Sequence, residues 1–169
     1  MRQEVRPIPL SGPYVDEREE EAVAEVLRSG RLSLGPTIDH FEELIAAKVG
    51  APYAAAVSSG TAGLHLLCVS AGIGPGDEVI TSPYSFVASA NCAIYEGATP
   101  VFADIDPRTY NLDPAAVEAA ITPRTKALVA VDIFGYPAEY DELIALCDRH
   151  GIALVEDSCE ALGARYKGR

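Results

Sequence analysis

The chain has 169 residues, 49% of them hydrophobic, and carries a formal net charge of −12 at neutral pH. This length and apolar content predict a well-buried globular domain and exclude a disordered chain. The negative charge argues against binding to nucleic acid or to an anionic membrane. Apolar runs are far shorter than the roughly 20 residues of a membrane span, and Met1–Glu4 shows no signal-peptide core. We therefore expect a cytoplasmic protein.

The cysteines and histidines lack the spacing of metal ligands. The four cysteines have no CxxC arrangement, which predicts reduced thiols in an intracellular protein. The three histidines are scattered, so surface or packing roles are favoured over metal binding. We expect no metal site at these residues: Cys68, Cys92, Cys147, Cys159, His40, His65 and His150.

Two amphipathic helices are predicted in the first fifty residues. Apolar and acidic residues recur at helical spacing over 14–29, and Ser29-Gly30 ends the pattern. After a loop, a second helical pattern runs from Ile38 to Val49 and stops at Gly50. We expect residues 1–50 to form a helical segment that packs on a domain comprising residues 51–169.

From residue 51 onward, short apolar strands alternate with helices. Strands are predicted at 53–57, 78–81, 99–102, 126–131 and 152–156, and helices at 61–71, 84–95, 114–121 and 139–149. Strands that are apolar on both faces and separated by helices predict a mostly parallel sheet covered on each side. The expected fold is a three-layer α/β/α domain.

Ligands of such sheets bind at the carboxyl ends of the strands, where Gly60, Phe86 and Asp157 are expected. Gly60 permits a tight turn, and the first amides of the helix that follows favour an anion such as a phosphate. Asp157 could pair with a protonated pyridine nitrogen, and Phe86 could stack on a flat ring. Each residue also has a plain structural explanation. Gly60 could form an ordinary turn, Asp157 could cap a helix, and Phe86 could be a core aromatic. The chain contains neither G-x-G-x-x-G nor the P-loop motif, which counts against nicotinamide cofactors and ATP.

Six motifs occur in order along the chain: Ser59-Gly60-Thr61-Ala62-Gly63-Leu64-His65, 72–81, 100–106, 121–127, Phe134-Gly135-Tyr136-Pro137 and Glu156-Asp157-Ser158-Cys159-Glu160-Ala161-Leu162-Gly163. Together they resemble the successive signatures of the DegT/DnrJ/StrS sugar-nucleotide aminotransferases. The resemblance implies part of a fold type I large domain, like that of aspartate aminotransferase, which binds pyridoxal 5'-phosphate and uses pyridoxamine 5'-phosphate as an intermediate. It also implies a nucleotide-linked keto-deoxysugar substrate, a glutamate amino donor and a homodimer.

The resemblance assigns roles to individual residues. Ser59, Gly60 and Thr61 would hold the cofactor phosphate, Phe86 would stack on the pyridine ring, and Asp157 would pair with the ring nitrogen. Two further residues complete the implied set. Glu160 stands near the ring hydroxyl, where the family commonly has Gln or His, and Ser33 would contact the substrate.

The lysine that forms the Schiff base in this family lies in a segment downstream of the Asp157 motif. None of Lys48, Lys126 and Lys167 has the matching context. A transaminase needs that amine to anchor the aldehyde and to move a proton. We therefore expect the 169 residues to be an inactive N-terminal fragment that lacks the later strands and the small C-terminal domain.

Three other functions are considered. A sugar 3-dehydratase of the same family would carry His in place of the lysine, and Glu160 is a departure that leaves this alternative open. A non-catalytic sensor could keep the cofactor cradle without the amine. A doubly wound binding module unrelated to the cofactor is the least favoured.

Overall fold

A computed structural model describes residues 12–168. These residues form six α-helices, four β-strands and one short 3-10 turn. The elements in chain order are α1 (Glu17–Ser29), α2 (Pro36–Val49), α3 (Gly60–Ser70), β1 (Glu78–Thr81), α4 (Ala88–Tyr95), β2 (Thr99–Phe102), α5 (Pro114–Ala120), β3 (Thr125–Val131), the 3-10 turn (Ile133–Gly135), α6 (Tyr140–His150) and β4 (Ala153–Asp157).

The described residues fall into two compact units, with the boundary between Ala56 and Val57. The first contains α1 and α2, and the second contains all the strands and the other four α-helices. The boundary lies six residues beyond the one expected from the sequence. How the helical segment packs on the sheet domain stays a prediction.

Helices α1 and α2 begin and end at recognisable signals. Asp16 caps α1 by accepting a hydrogen bond from the Arg18 amide, and Glu19 completes the capping box, so the helix starts three residues later than predicted. Gly30 and Gly50 end the two helices in the left-handed conformation. Neither helix contains a buried residue, although both carry apolar side chains such as Phe41.

The second unit is built on a parallel sheet with the strand order β2-β1-β3-β4. All three pairings are parallel, and β3 and β4 are in register from Ala127 opposite Ala153 to Val131 opposite Asp157. Parallel strands place their carboxyl ends at the same edge. The predicted parallel sheet is confirmed, and so are four of its five predicted strands, to within one residue at each end.

Alternate residues of each strand feed two separate apolar cores, one on each face of the sheet. On one face, Val79, Val129 and Val155 pack among the residues of α3 and α4. On the other face, Ile80 and Leu128 pack among the residues of α5 and α6. A sheet buried on both faces by helices is a three-layer α/β/α arrangement, which confirms the predicted fold class.

The structure also corrects one predicted strand and the predicted start of α4. Residues 53–57 form no strand, because the described chain offers them no neighbouring strand with which to form ladder hydrogen bonds. Helix α4 begins at Ala88 and not at residue 84, because the Ser82 hydroxyl takes up the Tyr84 amide (3.0 Å) and favours a loop there.

None of the helices within residues 12–168 combines the length and the apolar character needed to cross a membrane.

Candidate functional site

The candidate site is built on the carboxyl ends of β3 and β4 and on the first turn of α3. The ladder between β3 and β4 continues one residue past β3, where the Asp132 amide donates to the Asp157 carbonyl (3.1 Å). Asp157 is the last residue of β4, so its side chain stands at the ligand edge of the sheet, as predicted.

Ser59 is the N-cap of α3, and it organises the turn that begins this helix. Its hydroxyl accepts from the Ala62 amide (3.1 Å), and its carbonyl accepts from the Gly63 amide (3.0 Å). The amides of Gly60 and Thr61 meet no acceptor among residues 12–168. Two free amides at the positive end of a helix can bind an anion.

The glycine at position 60 is required by close packing. A Cβ atom built at Gly60 would collide with the Cys159 Sγ atom. Gly60 therefore lets the start of α3 approach the segment that follows β4, as glycine does where backbone meets a neighbour.

Asp157 is 8% exposed, and its carboxylate accepts hydrogen bonds from α4 and from the segment after β4. The Ser89 hydroxyl donates to its Oδ2 atom (2.9 Å), and the Cys159 amide donates to its Oδ1 atom over a long 3.4 Å. Cys159 therefore contacts both the Asp157 carboxylate and the start of α3 at Gly60.

The carboxylate of Asp157 also affects the pKa of the Cys159 thiol. A side-chain hydrogen bond to Asp157, together with burial, raises the pKa of Cys159 to about 11. The thiol therefore stays protonated at neutral pH and is a poor nucleophile.

Phe86 lies in the loop between β1 and α4, with 74% of its surface exposed. It is not part of either apolar core, so the core alternative weighed from the sequence is wrong. Its backbone carbonyl accepts a hydrogen bond from the Ser89 amide (3.1 Å), so Phe86 directly precedes the first turn of α4. An exposed aromatic at this edge is free to stack on a planar ligand.

Glu160 has a partner that the sequence does not reveal. Its Oε2 atom accepts from the Phe134 amide (3.2 Å), and Phe134 has the left-handed backbone angles φ 53° and ψ 26°. Such a conformation is uncommon for a bulky residue. Glu160 thereby stabilises the 3-10 turn after β3.

A buried carboxylate that the sequence reading missed, Asp132, organises the same turn. Its Oδ1 atom accepts from the Ala138 amide (2.9 Å) and the Tyr140 hydroxyl (2.8 Å), and its Oδ2 atom accepts from the Ser158 hydroxyl (2.8 Å). Burial and the bond to Asp132 raise the pKa of Tyr140 well above its usual range. Burial also raises the pKa of Glu156, and the Asp132 charge adds to this effect.

Three aromatic side chains form a second group that the sequence reading missed. Tyr84 contacts Tyr110 at a ring-centroid distance of 5.7 Å and Phe134 edge-to-face at 6.3 Å. Tyr110 also has a left-handed backbone, with φ 64°. No sequence periodicity marks these contacts, because they join three separate loops.

Ser33 lies in the first unit, in the loop between α1 and α2, and is exposed. Its contact with the substrate stays a prediction. Within residues 12–168, no group of three or more His, Cys, Asp or Glu side chains could hold a metal ion.

The donor set fits a phosphorylated pyridine. The free amides of Gly60 and Thr61 suit a phosphate, and the buried carboxylate of Asp157 suits a protonated ring nitrogen. Phe86, exposed in the loop between β1 and α4, suits one face of a flat ring. The two carboxylate oxygens of Asp157 offer about four acceptor sites, so Asp157 retains capacity to accept another hydrogen bond.

Comparisons with known proteins agree with this arrangement. The sequence profile of the DegT/DnrJ/EryC1/StrS aminotransferase family matches residues 13–169. The spore coat polysaccharide biosynthesis protein SpsC of Bacillus subtilis is 49% identical over 162 residues, covering 96% of this chain and 42% of that protein. The UDP-2-acetamido-2-deoxy-3-oxo-D-glucuronate aminotransferase of Pseudomonas aeruginosa is 43% identical, covering 92% of this chain and 43% of that protein.

A solved structure shows the same backbone. The crystal structure of NtdA from Bacillus subtilis, with the cofactor PMP bound, superposes with a TM-score of 0.88 at 31% identity, covering 96% of this chain and 39% of that one. The chain thus spans about two-fifths of the length of the relatives it matches.

Proposed function

Because the chain belongs to the DegT/DnrJ/EryC1/StrS aminotransferase family, we propose that it is part of a longer pyridoxal-phosphate-dependent enzyme. In our proposal this enzyme transfers an amino group from glutamate to a nucleotide-linked keto-deoxysugar. The relative from Pseudomonas aeruginosa is named for a UDP-linked 3-oxo sugar, and the one from Bacillus subtilis for polysaccharide biosynthesis, which supports a nucleotide-sugar substrate.

One observation supports the proposal most directly: Cys159 contacts both the buried carboxylate of Asp157 and the start of α3, where the Gly60 and Thr61 amides are free. We assign the phosphate to Ser59, Gly60 and Thr61, with the Gly60 and Thr61 amides as donors. We assign the ring nitrogen to Asp157 and one ring face to Phe86. When bound, the cofactor supplies an electron-withdrawing ring that stabilises negative charge at the carbon bearing the amino group.

Each residue contributes a distinct physical effect. The carboxylate of Asp157 favours a proton on the ring nitrogen and keeps the ring cationic. The amides at the start of α3 hold the phosphate without a charged side chain, which fixes the position of the ring relative to Asp157. Ser33 is proposed to contact the substrate.

The catalytic lysine is not among the chain's three lysines. Lys126 is exposed on β3, Lys48 lies in α2, and Lys167 pairs with Asp141. We propose that the 169 residues alone do not transaminate, and that the whole protein is a cytoplasmic homodimer. The four free thiols support a reducing compartment.

The family's sugar 3-dehydratase chemistry is the alternative, and Glu160 is the residue that raised it. The hydrogen bond from the Phe134 amide to Glu160 gives this carboxylate a structural role that requires no dehydratase chemistry. We therefore favour amino transfer. The residue at the downstream lysine position discriminates between them, since lysine supports transfer and histidine supports dehydration.

Replacement of Asp157 tests the proposal in the full-length protein. Removing one partner of a buried ion pair costs about 3–5 kcal/mol, so we expect Asp157→Asn to weaken pyridoxamine 5'-phosphate binding by about 100-fold or more. The glutamate half-reaction, followed by the change in cofactor absorbance, should slow in parallel. Both quantities are measured in the wild type and the variant.

Glu156→Gln is the matched control, because Glu156 is the adjacent carboxylate on the opposite face of β4. We expect it to bind the cofactor as the wild type does. Equal binding by wild type and Asp157→Asn would contradict the proposed role of Asp157, and a wild-type protein without affinity for the cofactor would contradict the proposed function.

A further inference from the structure

Ser89 is a buried hydroxyl that the assigned cofactor contacts do not use. It lies in the first turn of α4, and only 1% of its surface is exposed. Its hydroxyl crosses from α4 to β4 and donates to the Oδ2 atom of Asp157 at 2.9 Å. This bond is much shorter than the one that the Cys159 amide donates to the same carboxylate.

The hydroxyl of Ser85 is hydrogen-bonded to the hydroxyl of Ser89. The Ser85 and Ser89 Oγ atoms are 2.8 Å apart. Because the single proton of the Ser89 hydroxyl is directed to Asp157, the hydroxyl of Ser85 must donate to Ser89. The result is a chain of hydrogen bonds from Ser85 through Ser89 to the carboxylate, and Ser85 is the neighbour of Phe86.

The neighbours of Ser89 on α4 are apolar and do not require a polar residue at position 89. Ala88, Cys92 and Ala93 on the same short helix are buried in the apolar core between the sheet and α3. An alanine at position 89 would suit that core. Since buried hydroxyl groups are favourable only when hydrogen-bonded, the bond to Asp157 accounts for the serine.

We propose that Ser89 is a positioning residue for the reaction, acting through Asp157. It holds the carboxylate in the orientation that meets the cofactor's ring nitrogen, and Ser85 links this orientation to the loop that carries Phe86. This inference rests on the proposed function, because it presupposes that Asp157 meets a protonated ring. It assigns to Ser85 and Ser89 a role in setting the protonation of that ring.

The test uses the full-length protein and pyridoxamine 5'-phosphate labelled with ¹⁵N in the ring. Hydrogen bonds to charged groups are among the stronger ones in proteins, so we expect Ser89→Ala to weaken binding by about tenfold or more. The ¹⁵N chemical shift should move toward that of the unprotonated ring. Ser89→Cys, similar in size but a weak donor, should behave like Ser89→Ala, and Ser89→Thr, which keeps the hydroxyl, should bind more tightly than either.

A double-mutant cycle separates positioning from packing. With Asp157→Asn already in place, Ser89→Ala should change binding by no more than about twofold, because the two residues act as a unit. Thr81→Val is the control. It removes another buried hydroxyl at this edge, one that donates to the Val129 carbonyl and not to Asp157, and it should leave binding unchanged.

Two results would overturn the inference alone: wild-type-like binding and ¹⁵N shift in Ser89→Ala and Ser89→Cys, or an equal loss from Ser89→Ala with and without Asp157→Asn. Failure of the wild type to bind pyridoxamine 5'-phosphate would instead overturn the proposed function, and this inference with it.

Discussion

At the scale of single residues, the contact between Gly60 and Cys159 controls how closely the start of α3 approaches the end of β4. The side chain of Cys159 fills the space that a Cβ atom at position 60 would need. The free amides and the carboxylate of Asp157 therefore keep their spacing only if position 60 has no side chain.

This packing predicts a compensating pair of substitutions in the full-length protein. Gly60→Ala should destabilise the fold by about 1–3 kcal/mol, as overpacking does, and should weaken binding of pyridoxamine 5'-phosphate. Adding Cys159→Ala removes the colliding sulfur and leaves the Cys159 Cβ at 3.8 Å, an ordinary contact. We expect the double variant to recover much of both losses in urea unfolding and cofactor titration.

Cys159→Ala alone is the control, and it should stay close to the wild type in both measurements. If Gly60→Ala loses binding equally with and without Cys159→Ala, the contact with the sulfur is not what requires glycine at position 60.

The sequence located some residues of the site and not others, for physical reasons. Gly60 and Asp157 stand next to predicted elements, so their place at the ligand edge follows from the fold. Asp132 follows β3 directly and could have been found by the same reasoning. Ser89 could not, because its partner lies 68 residues away and the bond depends on how α4 packs against β4.

At the scale of elements, the four strands of the sheet were predictable because apolar residues on both faces mark a buried parallel strand. The segment 53–57 is also apolar but forms no strand, and most of its residues are exposed. Apolar residues alone do not make a strand, because a strand also requires a hydrogen-bonded neighbour. The start of α4 was mislocated for a local reason, since the Ser82 hydroxyl competes for the Tyr84 amide.

The absence of a strand at 53–57 leads to a prediction about the full-length protein. The curated relatives are more than twice the length of this chain, and further strands of a longer protein could pair with residues 53–57. We expect the amides of 53–57 to exchange rapidly with deuterium in the 169-residue chain and to be protected in the full-length protein. The amides of β3, paired on both sides, serve as the protected reference in each sample. Rapid exchange at 53–57 in both proteins would contradict the prediction.

The start of β1 is attached to the start of β3 through Glu78. Its carboxylate accepts from the Thr122 hydroxyl (2.5 Å) and from the Arg124 guanidinium (3.0 Å from Nε), and these bonds lower the pKa of Glu78 from its ordinary 4.5. A carboxyl with a lowered folded-state pKa stabilises the protein above its ordinary pKa, and this stability is lost as the pH falls.

We therefore expect Glu78→Gln to lower the melting temperature at neutral pH, with a difference from the wild type that shrinks toward about pH 3. Glu118→Gln, at an exposed ion pair with Arg149, is the control and should shift the melting temperature little at any pH. A difference for Glu78→Gln that does not depend on pH would show that the carboxylate charge is not responsible.

At the scale of the whole molecule, we propose that the chain contains the residues that hold the cofactor but not the lysine that reacts with it. Ring nitrogen, ring face and phosphate are assigned to Asp157, Phe86 and the turn at Ser59–Thr61. The reacting amine and the remaining sheet are proposed to lie in the part of the relatives that this chain does not span. In this proposal, cofactor binding and the reacting amine are separated along the sequence.

The most direct test is a crystal structure of the full-length protein with pyridoxamine 5'-phosphate. We predict phosphate oxygens within hydrogen-bond distance of the Gly60 and Thr61 amides, and the ring nitrogen bonded to the Asp157 carboxylate while Ser89 holds its other oxygen. A cofactor whose phosphate lies away from the first turn of α3, or whose ring nitrogen faces a group other than Asp157, would contradict the account.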